Sequence, residues 1–293
     1  MTGIPYELFG YRVIAKLGSG AASELYAVQD PKTMQVWALK HVKVGPAHKD
    51  DRFIKQVEQE HDIGSKLSHP NIRRIGKLSR IKKLFTTMEI GLLLELIDAE
   101  SMDQRRPKNI FEAASQFEQV AKGLAHMHEN NFVHADIKPI NAMVSGSGEV
   151  KIIDLGQACK IGTEKKRIQG TPGYMAPEQA NRQPVTEVTD IYNLGATMYW
   201  VLVGEVIPTA VPPHGNGKLG VVNAAMIRPP QPPHERNASI PLALSELILE
   251  CVKVDPSDRV QSMSSVIDRL QGIVDSLQQS RPVVSGAAER SGK

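Results

Sequence analysis

The sequence predicts an α+β fold in which a strand-rich first hundred residues, built around one helix, precede a mainly helical remainder. Three observations predict it. Val36-Trp-Ala-Leu-Lys40 alternates as a strand with one sheltered face does. From Phe111 the apolar spacing changes to that of a helix, with Phe117, Val120, Leu124 and Met127 on one stripe. Between those regimes and the later helices lies a polar run, His134-Ala-Asp-Ile-Lys-Pro-Ile-Asn141, followed by Asp154-Leu-Gly156. A chain of 293 residues can form one large domain or two lobes sharing a cleft.

In order along the chain, Tyr11–Leu17 and Glu24–Val28 read as strands flanking a glycine-containing turn. Phe53, Ile54, Val57 and Ile63 recur near helical spacing between Asp51 and Leu67. Two strands are expected through Ile72–Leu78 and Leu84–Glu89. Arg73, Arg74, Lys77, Arg80, Lys82 and Lys83 surround their turn, as a solvated hairpin rim or, alternatively, a docking or anionic site. A helix is expected over Phe111–Glu129, with short strands near Val133, Ala142–Val144 and Val150–Ile153. Helices follow at Asp190–Val203, Pro241–Val252 and Ser264–Leu277. A proline-rich surface excursion holding a short helix spans Pro208–Pro241, and the polar tail from Arg281 reads as mobile.

Composition narrows the function. Apolar residues make up 41% and charged residues 23%, as in a soluble globular protein, and a net charge of +3 is too small to indicate nucleic-acid binding. Cys159 and Cys251 stand far apart and suggest reduced thiols rather than a disulfide or metal framework. No leader and no uninterrupted run of eighteen apolar residues is visible, so the expectation is a cytoplasmic protein without direct membrane insertion.

The central run places two carboxylates, an ammonium and a carboxamide where a phosphoryl group could be transferred. Such transfer needs an oriented hydroxyl, a divalent metal on the phosphates and positive charge where negative charge develops. Asp136 would orient the hydroxyl and take its proton, Lys138 would steady the moving group, and Asn141 with Asp154 would hold metal. Each alone could be a solvated loop charge; the combination carries the reading. Gly18 and Gly20 would let backbone amides approach phosphates, although a Gly-x-Gly turn is often only a hairpin. The turn lacks a Gly-Lys-Ser/Thr ending and leads into a strand, which argues against a P-loop or dinucleotide fold.

Taken in order, Gly18/Gly20, Ala38-Leu-Lys40, Glu60, His69-Pro-Asn71, Asp136–Asn141, Asp154-Leu-Gly156, Ala176-Pro-Glu178, Asp190 and Arg259 resemble the motifs of the protein kinase family. Asp136-Ile-Lys138-Pro and Gly170–Glu178 look like its serine/threonine branch, and like bacterial members of it. The resemblance implies a bilobal domain over 11–277, with a small, mainly antiparallel β lobe (about 11–90) containing one key helix. It implies a larger helical lobe (about 91–277), an N-terminal extension (1–10) and a flexible tail (281–293). It also implies ATP with Mg²⁺ or Mn²⁺, and a protein substrate offering a Ser or Thr hydroxyl.

By the same resemblance, Lys40 reaches the nucleotide phosphates and is held by Glu60 rather than Glu58. Leu17 and Ala38 line the nucleotide site, and Met143 is its floor. Thr87–Gly91 is the hinge, with backbone groups of Glu89 and Gly91 reading adenine and Met88 closing the rear. Glu178 pairs with Arg259, Asp190 accepts backbone hydrogen bonds from the catalytic loop, and Thr171 approaches Asp136 and Lys138. Four departures matter. Ser23 replaces a third small glycine, and Ala135 removes an arginine that would anchor a phosphate, with Thr163 the main further phosphoacceptor. Leu155 replaces phenylalanine, and Gly64 leaves out an apolar contact towards Leu155 and His134. Gly64 therefore raises the expectation of an underpacked active arrangement that needs a partner or homodimer, and of a Gly64→Leu variant with more basal activity. A catalytically silent scaffold and a small-molecule kinase are the alternative readings.

Overall fold

The computed structural model describes residues 4–20, 22–43, 52–208 and 227–280. Strands β1 (Glu7–Leu8), β2 (Tyr11–Ser19), β3 (Ser23–Gln29), β4 (Val36–Lys43), β5 (Ile75–Lys83) and β6 (Thr86–Glu95) form one antiparallel sheet, in the order β1-β2-β3-β4-β6-β5. Helix α1 (Arg52–Gly64) lies between β4 and β5 in the chain. Side chains alternate across a strand, so β4 serves both faces. Ala38 and Val42 pack with Ile54 and Val57 of α1, whereas Leu39 packs with Tyr26, Val28 and Leu93 on the other face. That alternation directs Lys40 towards the helix.

The second lobe is organised around α2 (Ile110–Glu129) and α4 (Glu187–Val203), with α6 (Leu242–Cys251) and α7 (Met263–Gln279) against them. Two short helices, α3 (Pro177–Ala180) and α5 (Pro233–Arg236), complete its described helices. The stripe Phe117, Val120, Leu124 and Met127 is buried throughout. Each such large side chain contributes roughly 1.5–3 kcal/mol of burial free energy. Asn109 caps α2 by accepting the Glu112 N–H at 2.9 Å, and Gly204 ends α4 at a φ of 86° that favours glycine. In the second lobe, β7 (Ala99–Ser101), β9 (Ala142–Ser145) and β10 (Val150–Ile152) form a small sheet, and β8 (Phe132–Val133) pairs with β11 (Cys159–Lys160).

Several expected boundaries move. The small-lobe sheet runs through Glu95 rather than stopping near residue 90, and β1 draws residues 7–8 of the expected extension into it. The strands expected at Ile72–Leu78 and Leu84–Glu89 are β5 and β6, displaced towards the C-terminus. Asn71 and Ile72 are instead bound to Ile152 of the second lobe. The short helix of the proline-rich excursion is α5; residues 209–226 of that excursion, and the tail from 281, lie outside the described residues.

Candidate active site

The loop that carries Asp136 is positioned from beneath by one carboxylate. Asp190, fully buried in the first turn of α4, accepts the His134 and Ala135 backbone N–H groups at 2.8 Å each. It also accepts the His128 imidazole at 2.9 Å. Burial pushes the Asp190 carboxyl upward, but His128, His134 and these hydrogen bonds outweigh it and hold the group below its ordinary 3.8. Ala135 sits at φ 59°, a left-handed conformation held by its N–H bond to Asp190 and by the Gln179 amide, which donates to its carbonyl at 2.8 Å. His134 is buried, with Nδ1 accepting from the Asp136 N–H and Nε2 directed at the Ile153 carbonyl. This network assigns the Nε2–H tautomer.

On this base the polar groups converge. Lys138 Nζ donates to Asp136 Oδ2 at 2.8 Å and to Thr171 Oγ1 at 2.7 Å. Thr171 in turn donates to Asp136 Oδ1 at 2.9 Å, which makes the expected approach of Thr171 to both residues a closed three-way contact. Asn141 donates its amide to the Asp136 carbonyl at 2.9 Å, which leaves its own carboxamide oxygen free to point elsewhere. Asp154 stands at φ 61°, and its buried Oδ1 has no hydrogen-bond partner. Lys40 reaches that atom at 3.5 Å and Glu60 Oε2 at 2.6 Å.

Burial works against charge on all three groups; attraction outweighs it at Lys40 and Asp154, and burial wins at Glu60. Lys40 is held above its usual range because Glu60 and Asp154 outweigh its desolvation. Asp154 is held below its usual range because Lys40, His134 and the Gly156 N–H outweigh its own. Burial raises the Glu60 carboxyl despite Lys40. Glu58 faces away and binds Arg80 at 2.9 Å. A cavity of about 240 Å³ lies under the glycine turn, lined by Gly20, Ser23, Lys40, Val57 and Asp154 among others. Gly20 N–H donates to the Ser23 carbonyl at 2.7 Å, and a Cβ on Gly20 would approach Ser23 Oγ to 2.9 Å. Leu17 is half exposed on β2 beside Gly18, and Ala38 is fully buried on β4. A larger cavity of about 1040 Å³, bounded by Pro177, Tyr192 and Pro256, contains none of Lys40, Asp136, Asn141 and Asp154.

The expected hinge is a correction. Met88, Glu89 and Gly91 lie inside β6, where Glu89 is opposite Lys43 and Ile81 and Gly91 is opposite His41 and Ser79. Their backbone groups serve the ladder and do not connect the lobes. The Glu89 carboxylate binds His41 at 2.9 Å and Lys43 at 3.0 Å, and a Cβ at Gly91 would strike the Phe9 ring. The lobes are joined further on, by Leu96-Ile-Asp98 between β6 and β7. Because Leu92 is opposite Lys40 and Leu94 opposite Ala38, Leu94 shares the Lys40 face of the sheet near this connection. Met143 is on β9 opposite Ser101, close to where the connection enters the second lobe.

Gly64 is the second correction. Its missing side chain leaves no gap, because a Cβ there would stand 2.3 Å from Ile75 Cδ1 and 3.1 Å from Leu155 Cδ1. Ile75 of β5 fills the space from the opposite side, so the arrangement is packed rather than underpacked. Gly156 is required in a similar way, since a Cβ would meet the Gln56 amide at 2.5 Å.

The peptide-side segment is anchored below the catalytic loop. Arg259 makes a buried two-pronged pair with Glu178 at 2.7 and 2.8 Å. Sequence reasoning gave no role to Gln179 or Asn193. Gln179 accepts the Ala176 N–H and the Asn193 amide, both at 2.9 Å, while Asn193 also donates to the Tyr174 carbonyl at 2.7 Å. Their signal was a pair of carboxamides within apolar helical sequence, where buried amides must find partners. Thr163 donates to the Lys160 carbonyl at 2.6 Å.

The family model of the protein kinase domain matches residues 11–269 of this chain. The chain belongs to the protein kinase domain family. Among similar proteins, a probable serine/threonine-protein kinase of Clostridium acetobutylicum is 29% identical over 90% of this chain and 40% of its own length. Serine/threonine-protein kinase PrkC of Bacillus subtilis is 26% identical over 86% of this chain and 38% of its own length. PknB of Mycobacterium leprae is 26% identical over 99% and 47%. The kinase domain chain thus spans less than half the length of these relatives.

Proposed function

We propose that this chain transfers the γ-phosphoryl group of ATP to serine or threonine hydroxyls of proteins. The observation that carries the reading is the closed contact of Asp136, Lys138 and Thr171, with Asn141 and Asp154 beside it and the Lys40–Glu60 pair above. Asp136 keeps an acceptor lone pair on each oxygen for an incoming hydroxyl and takes its proton as the new P–O bond forms and the bond from the γ-phosphorus to the departing ADP oxygen breaks. Lys138, already on Asp136, places an ammonium beside the transferring group, and Thr171 ties the peptide-side segment to the same carboxylate. Lys40, kept charged by Glu60, supplies the positive contact to the phosphates. Leu17, Gly18 and Gly20 cover the nucleotide, Ala38 and Met143 enclose its base, and the adenine edge meets the backbone of Glu95–Ile97 with Leu94 behind it.

The donor set suits a hard divalent cation, magnesium or manganese. Asp154 Oδ1, which makes no hydrogen bond among the described residues, and the carboxamide oxygen of Asn141 would be oxygen ligands, and phosphate oxygens would complete the shell. Such a cation neutralises charge on the phosphates. The test is incubation of the purified chain with ATP, magnesium and a degenerate Ser/Thr peptide library. Phosphoserine or phosphothreonine is expected in the product. Nucleotide binding without transfer would support the scaffold reading, and phosphorylation of a metabolite but no peptide would support the small-molecule one.

A further inference from the structure

The turn between β5 and β6 breaks the ordinary rules of a hairpin tip. Lys83 pairs with Thr86, which leaves Leu84 and Phe85 as a two-residue loop. Such loops favour glycine, asparagine or aspartate, because one or both central residues take positive φ. Leu84 occupies that conformation at φ 55°. Both large apolar side chains project into solvent, Leu84 being 89% and Phe85 98% exposed, and Ile81 nearby is 49% exposed. These are the two most exposed large hydrophobic residues of the described chain. Nothing in the fold uses them.

Lys77 is exposed further back on β5, and the other five basic residues around this turn divide into two groups. Arg73 donates to the Glu95 carbonyl at 2.8 Å, Arg74 lies over the Trp37 ring, and Arg80 binds Glu58. Those three help to hold the small lobe together. Lys82 and Lys83 are exposed and make no ion pair among the described residues. At about 3.3 Å per residue they stand within roughly 7 Å behind the tip. A bilayer offers the same order over the same depth, with hydrocarbon beneath a headgroup layer of about 5–8 Å. The finger is convex, and its two apolar side chains lead two free ammonium groups.

We propose that the β5–β6 hairpin is a peripheral membrane contact, with Leu84 and Phe85 entering the interface of an anionic lipid bilayer and Lys82 and Lys83 meeting its headgroup phosphates. The inference does not depend on the catalytic reading. It departs from the expectation of no direct membrane insertion only at the interface, since no helix among the described residues is long and apolar enough to cross a membrane.

Sedimentation of the full chain with phosphatidylcholine vesicles, with and without phosphatidylserine, tests it. Binding is expected only to the serine-containing vesicles and is expected to weaken with salt. Leu84→Gly/Phe85→Ser should reduce that binding about tenfold or more, as should Lys82→Gln/Lys83→Gln. Glycine relieves the positive φ at 84, so an unchanged unfolding midpoint and unchanged transfer to a soluble peptide are expected for the tip variant. A wild-type chain that ignores anionic vesicles, or tip variants that bind them as tightly, would overturn the proposal. Tip-dependent capture of an acidic protein without vesicle binding would also overturn it, by assigning the tip to a protein partner.

Discussion

The two halves of the candidate site are held by different means. The catalytic loop rests on Asp190, whose carboxylate takes three hydrogen bonds in a fully buried setting, and is tied again through Gln179 and Asn141. The nucleotide half depends on Lys40, whose ion pairs with Glu60 at 2.6 Å and Asp154 at 3.5 Å join a strand to a helix and to the Asp154 turn. On the proposed reading, redundant buried hydrogen bonds hold a proton acceptor where a hydroxyl must arrive, and losing one of them leaves unsatisfied groups behind. In that reading, ion pairs to one lysine from separate elements let it engage incoming phosphates without unmaking the fold. The difference predicts separable defects, of stability below and of activity above.

Asp190→Ala would cut deepest. It strands the buried His134 and Ala135 N–H groups and His128, and should cost roughly 3–5 kcal/mol of unfolding free energy in urea titrations. A loss below about 1 kcal/mol would mean that the loop is held elsewhere. Lys40→Met should reverse the pattern, lowering transfer about 10²–10³-fold while leaving the midpoint close to wild type. Glu60, already raised by burial, takes up a proton once its partner is gone. A folded Lys40→Met protein of wild-type efficiency would remove that residue from the phosphate site.

Gly64→Leu tests the junction of the halves and is expected to destabilise by about 1–3 kcal/mol through overpacking against Ile75, rather than to raise basal activity. Adding Ile75→Ala should recover part of the loss; no recovery would show that Ile75 is not the obstacle. The smallest effect concerns acid. Because the folded Asp190 carboxyl lies below its ordinary 3.8, its stabilisation is complete above that pH and is lost as pH falls through the lower folded value. Asp190→Asn should flatten this acid limb in melts followed against pH, whereas an unchanged limb would place the acid sensitivity in other carboxylates.

Much of this was legible in the sequence where chemistry and spacing coincide. Asp136, Lys138, Asn141 and Asp154 are close in the chain, so one loop and one turn bring them together. Lys40 and Glu60 were readable from strand alternation and from the family resemblance. The connection between the lobes was not, because Ile90–Leu94 is an apolar run broken by Gly91 and a half-buried alternation ended the strand at Glu89. A central strand covered on both faces has no such alternation. Gly64 misled for another reason: its neighbour Ile75 comes from a different strand, and local spacing cannot show a cavity filled across the chain. Gln179 was hidden because its value lies in a carbonyl and two donors that only the fold assembles.

The most direct measurement is single-turnover transfer from labelled ATP by Asp136→Asn, read alongside its nucleotide affinity. Asparagine keeps the shape of the side chain but cannot take the hydroxyl proton. Nucleotide affinity close to wild type with transfer slowed at least about 100-fold is the expected result. Transfer at the wild-type rate in a folded Asp136→Asn protein would contradict the assignment of the catalytic loop.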